Sequence, residues 1–274
     1  EECGRTAQDW QKLLITDVMA VNDEGLWTHQ KYGYEVPRQN GKGEVLTMRE
    51  LWGLQNGERI CHTAHKTSTS HSAFVRLMGI LTSAGYVETG RKKKGRIDPE
   101  KSFKATKQYG LEQIFLKNGG YIVFRTRTEA GGIGESFDLL VIDEAQEYTP
   151  EQETSLKYTV TDSPNPQTIM LGTPPTAISA GTVFPKYRKT VLSGAGYESG
   201  WAEWSVPDMS DPNDSDLWYE TNPSLGTILK ERTIRAEIGD DDIYFNIQRL
   251  GLWLKYNQKS AISRNEWTAL KVDS

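Results

Sequence analysis

Two short segments constrain this chain more than anything else in it. They are Val36-Pro37-Arg38-Gln39-Asn40-Gly41-Lys42-Gly43-Glu44 and, roughly a hundred residues later, Leu139-Leu140-Val141-Ile142-Asp143-Glu144-Ala145-Gln146. An Asn-Gly-Lys turn that follows a β-type run and precedes a helical pattern can wrap main-chain N–H groups around phosphates, with the lysine reaching the terminal phosphate. Four aliphatic residues ending in Asp-Glu read as a buried strand that delivers two carboxylates to one edge of a sheet. There Asp143 can hold Mg²⁺ through water and Glu144 can polarise an attacking water. In this order and at this spacing the two segments read as an ATPase.

The patterning around them alternates strand and helix. Trp10, Leu13, Leu14, Val18 and Val21 repeat at helical spacing, with Thr6 and Asp9 imitating a capping box, which predicts a helix over 6–21. A short strand ends at Glu35-Val36, and helices are expected over 44–55 and 68–83, the latter with Phe74, Leu77, Met78 and Leu81 on one face. Strands are expected over 59–64, 139–143 and 168–172, and Asn118-Gly119-Gly120 between 114–116 and 121–124 signals a hairpin. Such alternation implies a mostly parallel sheet covered on both faces. From about Gly194 the texture changes: Trp201, Trp204, Trp218 and Trp253, several prolines and the run Asp240-Asp241-Asp242 mark a second region, mostly helical after Asp216. The expected division is therefore a core over 1–193 and a smaller subdomain over 194–274.

At 274 residues the chain is long enough for one sizeable α/β core. No apolar run approaches the roughly 20 residues needed to span a bilayer. Two cysteines, Cys3 and Cys61, form neither a disulfide framework nor a zinc motif. His62, His65 and His71 lack acidic or cysteine partners in sequence that would complete a metal set. The net charge of −5 argues against a protein coated in nucleic acid, though a local basic strip can still contact DNA. The densest such strip is Arg91-Lys92-Lys93-Lys94-Gly95-Arg96, with Lys101, Lys104 and Lys107 beyond it.

The phosphate loop departs from the usual G-x-x-x-x-G-K-[ST] at both ends, with Val36 at the first glycine position and Gly43 at the Ser/Thr position. The Ser/Thr hydroxyl normally helps to coordinate Mg²⁺, so water or another side chain must supply that oxygen. Glu44 is a candidate, or else a first-turn acid favoured by the helix dipole. Arg38 adds a fixed positive charge within reach of the β and γ phosphates.

The combination of Pro-Arg-Gln-Asn-Gly-Lys, the strand ending Asp-Glu-Ala-Gln, and the later Leu171-Gly172-Thr173-Pro174-Pro175 resembles the ATPase domain of the large terminase subunits of tailed phages, the motors that pump DNA into procapsids. The resemblance runs along most of the chain. Trp10-Gln11 resembles the family's Trp-Gln pair, which implies that Gln11 contacts adenine. Asn222-Pro223-Ser224-Leu225-Gly226 and Leu250-Gly251-Leu252-Trp253 resemble the stretch leading out of the core. Gly172 and Thr173 take the coupling position, where a strand end relays nucleotide state. Ile133, in Gly131-Gly132-Ile133-Gly134-Glu135, stands where relatives often carry an arginine before the carboxylate strand, leaving Arg125 and Arg127 as candidate arginine fingers.

The resemblance implies a RecA-like P-loop three-layer α/β sandwich with a small C-terminal helical lid. ATP and Mg²⁺ are the implied cofactors, bound by Gln11, Arg38, Gln39, Asn40, Gly41, Lys42, Gly43, Glu44 and Asp143, with Glu144, Arg38 and Lys42 in catalysis. The implied partners are double-stranded DNA, the portal protein, the small terminase subunit and further copies in a ring on the portal, with an isolated monomer. The implied setting is the host cytoplasm, with no membrane. The chain begins without methionine and is expected to be a piece of a longer protein, with a nuclease domain beyond its end and no cutting activity of its own. Two other readings share the core motifs: a helicase or remodelling ATPase, and a nucleotide-binding module with little hydrolysis.

Overall fold

The computed structural model describes residues 5–89, 101–127, 134–239 and 241–254. The strands are β1 (Lys31–Glu35), β2 (Arg59–Ala64), β3 (Val87–Glu88), β4 (Ser102–Thr106), β5 (Gln113–Leu116), β6 (Tyr121–Thr126), β7 (Leu139–Ile142), β8 (Gln167–Gly172) and β9 (Ser199–Glu203). They form one sheet in the order β3-β4-β5-β6-β2-β7-β8-β1-β9. The six strands from β6 to β9 in that order are parallel, and the hairpin partner β5 and its neighbour β4 make the antiparallel pairs. The segment bearing Asp143 and Glu144 thus follows a central strand, one strand removed from β1, which feeds the phosphate loop.

Helices α1 (Asp9–Val18), α2 (Lys42–Gln55), α3 (Thr67–Ser83), α4 (Pro150–Leu156) and α5 (Val183–Leu192) flank the sheet, and α6 (Ser215–Thr221), α7 (Glu231–Arg235) and α8 (Asp242–Arg249) follow it. The period of two along each strand separates the core into two layers. Ile60, Ile122, Phe124, Val141, Ile169 and Leu171 pack with Trp10, Leu14, Leu46, Leu54, Phe74 and Leu77 of α1, α2 and α3. Their alternates Cys61, Val123, Leu140, Ile142 and Met170 face Leu156, Val183 and Phe184. Burial on both faces is why the central strands read as continuous aliphatic runs. A third cluster of Val206, Trp218, Leu225, Leu229, Ile234, Phe245, Leu250 and Leu252 forms the small subdomain. No helix among the described residues is long and apolar enough to cross a membrane.

Three expectations are corrected. The first helix starts at Asp9, because the reciprocal cap is made by Gln8 and Gln11 rather than by Thr6 and Asp9. α2 starts at Lys42, two residues early, since the phosphate-loop turn runs directly into it. The change of texture at Gly194 is not the edge of the core, because β9 pairs along its whole length with β1. The basic run 91–96, the segment 131–133 and Asp240 lie outside the described residues.

Candidate nucleotide site

The phosphate loop leaves β1 with Gln39 at φ +62° and Gly41 at φ +80°, both left-handed, before α2 begins. This winding starts α2 at the carboxyl edge of the sheet, where ligands of open α/β folds bind. Glu144 has φ +53°, an uncommon value for a non-glycine residue. Of three such residues among those described, two are in the segments singled out from sequence, where backbone strain tends to collect.

Lys42 is half-buried. Loss of hydration pulls its pKa down, opposed by the charges of Asp143, Glu35 and Glu144, while Arg38 adds to the depression. The charges of both sequence segments therefore act on one ammonium group. Arg38 is exposed, and its side chain makes no hydrogen bond or ion pair with another described residue. Asp143 Oδ1 accepts the Glu144 N–H at 2.7 Å, and Glu144 Oε2 is buried with no hydrogen-bond partner.

A buried pair behind Asp143 went unread in the sequence. His62 on β2 and Glu50 on α2 are bonded at 2.6 Å through Nδ1, and His62 Nε2 lies 4.0 Å from Asp143 Oδ2. Burial pulls the imidazole pKa down, but Glu50 and Asp143 push it up further, and the net direction is up. Helix α2, which begins at the lysine, is thereby linked electrostatically to the carboxylate strand. The one signal available was a polar residue at an apolar position of each element.

Arg127 and Arg125 do not stand free as finger candidates. Arg127 is buried, with Nη1 donating to the Asp143 carbonyl at 2.5 Å and Nη2 to the Glu144 carbonyl at 3.0 Å, and its guanidinium lies over Tyr148. Burial pulls its pKa down to about 10 against the pull of Asp143. It braces the carboxylate segment from within the subunit. Arg125 forms a two-bond ion pair with Glu135. The expectation that either arginine is offered to a neighbouring subunit is not met by these contacts.

Two further expectations change. Asn40 is fully buried, and its side chain is spent on Pro37, Arg38, Asn222 and Ser224, so only its main chain remains for a phosphate. Glu44 is held by Arg5 at 2.9 Å and approached by Arg76 at 3.7 Å, which commits the proposed replacement Mg²⁺ ligand to two cations.

The small subdomain grips the loop from the other side. Ser224 Oγ donates to the Asn40 carbonyl at 2.7 Å and receives the Trp10 indole N–H at 3.0 Å. Arg249, locked to Glu237, donates to the Arg38 carbonyl at 2.8 Å and to Gln39 Oε1 at 2.9 Å. On β8, a Cβ at Gly172 would lie 2.6 Å from Gln146 Oε1, the atom that accepts the Thr173 N–H at 3.4 Å, so a larger residue there would push the Gln146 amide away. Gln146 thus ties the carboxylate segment to the strand exit at Gly172-Thr173.

A cleft of about 870 Å³ opens beside the loop, lined by Gln11, Gln39, Gly41, Lys42, Gly43, Glu44 and residues of α3 and 227–228. Its size suits a nucleotide-sized ligand. Gln11 lines it while donating to the Gly41 carbonyl at 3.3 Å. Asp143 and Glu144 lie outside this lining, beyond Lys42. No cluster of three acidic, histidine or cysteine ligands exists among the described residues, so a cation at Asp143 would draw its other ligands from phosphate and water.

No family model matches the chain, and no curated protein matches it in sequence. Solved structures do. The large terminase of bacteriophage HK97 superposes with a TM-score of 0.72 at 15% identity, covering 91% of this chain and 51% of that one. The fold is that of a large terminase ATPase domain. The large terminase of a thermophilic bacteriophage follows with a TM-score of 0.61 at 13% identity, over 91% of this chain and 54% of that one. The ATPase domain of the Thermus phage P74-26 large terminase gives 0.57 at 13% identity, over 90% and 94%. The chain therefore spans about half the length of the first two terminases and nearly all of the third, an isolated ATPase domain. At these identities the likeness is one of fold, and the nine-stranded, mostly parallel open sheet agrees with the RecA-like sandwich expected from the motifs.

Proposed function

We propose that this chain is the ATP-hydrolysing part of a phage DNA-packaging motor. The observation that carries the reading is the convergence of Lys42, Asp143 and Glu144 at one sheet edge beside a nucleotide-sized cleft, within a terminase ATPase fold. The large terminase of the thermophilic bacteriophage has been solved with ADP and with ATP-γ-S, which supports nucleotide as the ligand here.

Lys42 and the first N–H groups of α2 hold the phosphates, and Gln11 faces the base from the cleft wall. Asp143 is the residue that would hold Mg²⁺, which offsets charge on the transferring phosphoryl group when bound. Glu144, with one carboxylate oxygen unspent and its carbonyl fixed by Arg127, orients and polarises the attacking water. Arg38, unpaired and exposed, is placed to stabilise charge developing on the phosphate. Catalysis then rests on positioning and charge neutralisation rather than on a covalent intermediate. Gln146 and Gly172-Thr173 relay the state of the site along β8, and the bonds from Ser224 and Arg249 relay it to the small subdomain. In the whole protein the motor would act on double-stranded DNA in a ring on the portal, with the small subunit as partner.

The test is phosphate release from ATP by the purified protein with Mg²⁺. Release that disappears in Lys42→Ala together with ATP binding supports the reading. ATP binding without release in the unmodified protein would support the binding-module alternative, and absence of ATP binding would overturn the proposal.

A further inference from the structure

We infer that Arg76, on α3, is a nucleotide phosphate ligand that occupies the space opened by Gly43; the inference rests on the nucleotide reading above. A Cβ built on Gly43 would lie 2.4 Å from Arg76 Nη1 and 3.6 Å from Cζ. The guanidinium therefore stands where the side chain of a Ser or Thr would begin, at the one position where this loop lacks its usual hydroxyl. The missing hydroxyl and the arriving arginine are a single feature of the site.

Arg76 has its hydrogen-bonding capacity unspent. None of its N–H groups donates to another described residue, and its one ion-pair contact, with Glu44, is long at 3.7 Å. The side chain remains 40% exposed along the wall of the cleft. The charged residues lining that cleft are Arg5, Lys42, Arg76 and Glu44, three cations to one carboxylate. A lining with that balance, resting on a helix start, recognises a polyanion, and a planar guanidinium fork matches phosphate oxygens better than an ammonium does. Glu44 orients the two arginines, with Arg5 bonded to it at 2.9 Å.

The test is equilibrium displacement of a fluorescent ADP analogue by ADP, with Mg²⁺ and with EDTA, alongside thermal melting. Arg76→Gln should weaken ADP binding by roughly ten- to a hundred-fold with melting unchanged, the range expected for a lost charged hydrogen bond. Arg76→Lys should recover part of the loss. Gly43→Ser, which must displace the guanidinium, should weaken binding in the parent protein and add nothing in Arg76→Gln. Unchanged ADP affinity in Arg76→Gln, while Lys42→Ala loses binding, overturns the role of Arg76 and leaves the nucleotide reading intact. Full recovery in Glu44→Gln/Arg76→Gln overturns it as well, since Arg76 would then only neutralise Glu44. A parent protein that binds no ADP overturns both.

Discussion

At the amino ends of the parallel strands, Arg59 clasps Asp138 with its main-chain N–H, Nε and Nη2, at 2.8, 3.1 and 2.9 Å. Nearby, the fully buried Arg49 gives Nε to Gln167 and both terminal nitrogens to Glu58, with the indoles of Trp27 and Trp52 against its guanidinium. At the carboxyl ends of the same strands the buried charges are treated differently. Both carboxylate oxygens of Glu35, His62 Nε2, Arg127 Nε and Glu144 Oε2 have no hydrogen-bond partner. The amino edge has single unpaired atoms of its own, His29 Nδ1 and Glu198 Oε2, but no wholly unpaired carboxylate. The amino edge pairs its ionisable groups to hold the fold, while the carboxyl edge leaves buried polar atoms unpartnered even where, as in His62 and Arg127, the rest of the side chain is bonded. Buried groups with capacity to spare are expected of a ligand site.

The comparison can be broken at either edge. The largest effect should come from Glu144→Gln, with turnover falling by roughly 10²–10⁴-fold, as for a lost general base. Nucleotide affinity and melting temperature should be unchanged; single-turnover kinetics with a parallel binding titration checks this, and equal loss of binding would assign Glu144 a structural role. At the amino edge, Arg49→Met should cost about 3–5 kcal/mol in denaturant unfolding, because Glu58 and Gln167 lose a buried partner. Its nucleotide affinity should be preserved, and a parallel loss of affinity would mean that the edges are not separable.

Glu35→Gln should do the reverse of Arg49→Met and stabilise the protein. Burial, with Glu203 adding to it, raises the Glu35 pKa well above the ordinary range. Above about pH 4 the native state therefore retains a proton that the unfolded chain has released, and stability falls as pH rises toward the native value. The variant should lose that slope and gain about 1–3 kcal/mol at pH 8 relative to pH 5. Unfolding midpoints at the two pH values decide it, and a slope unchanged by the substitution removes Glu35 from the argument. The smallest effect belongs to Asp138→Asn. Burial raises the Asp138 pKa, but its bonds from Arg59 lower it further, so the net direction is down. Its contribution is complete above the unfolded value near pH 4 and is lost as pH falls through the native one. A loss of about 0.5–1 kcal/mol at pH 7, vanishing in acid, is expected from urea titrations, and a loss that persists in acid would point to packing instead.

Much of this was legible in one dimension. Local spacing revealed β2 to the residue, the central strand before Asp143 and the hairpin at Asn118-Gly119-Gly120, and it singled out Lys42, Asp143 and Glu144 as candidates, because such motifs compress their chemistry into contiguous residues. The short strands β3 and β4, and β9 at the far side of β1, were not legible, since their pairing partners are distant in sequence and their own patterns are weak.

What the sequence by itself determined is the order of elements and the residue types at the phosphate loop and the carboxylate strand. Periodicity and turn chemistry act over a few residues and can be read there. Only the tertiary structure decided which charges are spent. Arg127 became an internal brace, Asn40 a link to Asn222 and Ser224, Glu44 a partner of Arg5, and His62 a companion of Glu50. Arg76, unremarkable in sequence, came to lie against Gly43. The reason is physical: a side chain's electrostatic role is set by desolvation and by neighbours within a few ångströms, and here those neighbours come from elements tens to hundreds of residues away.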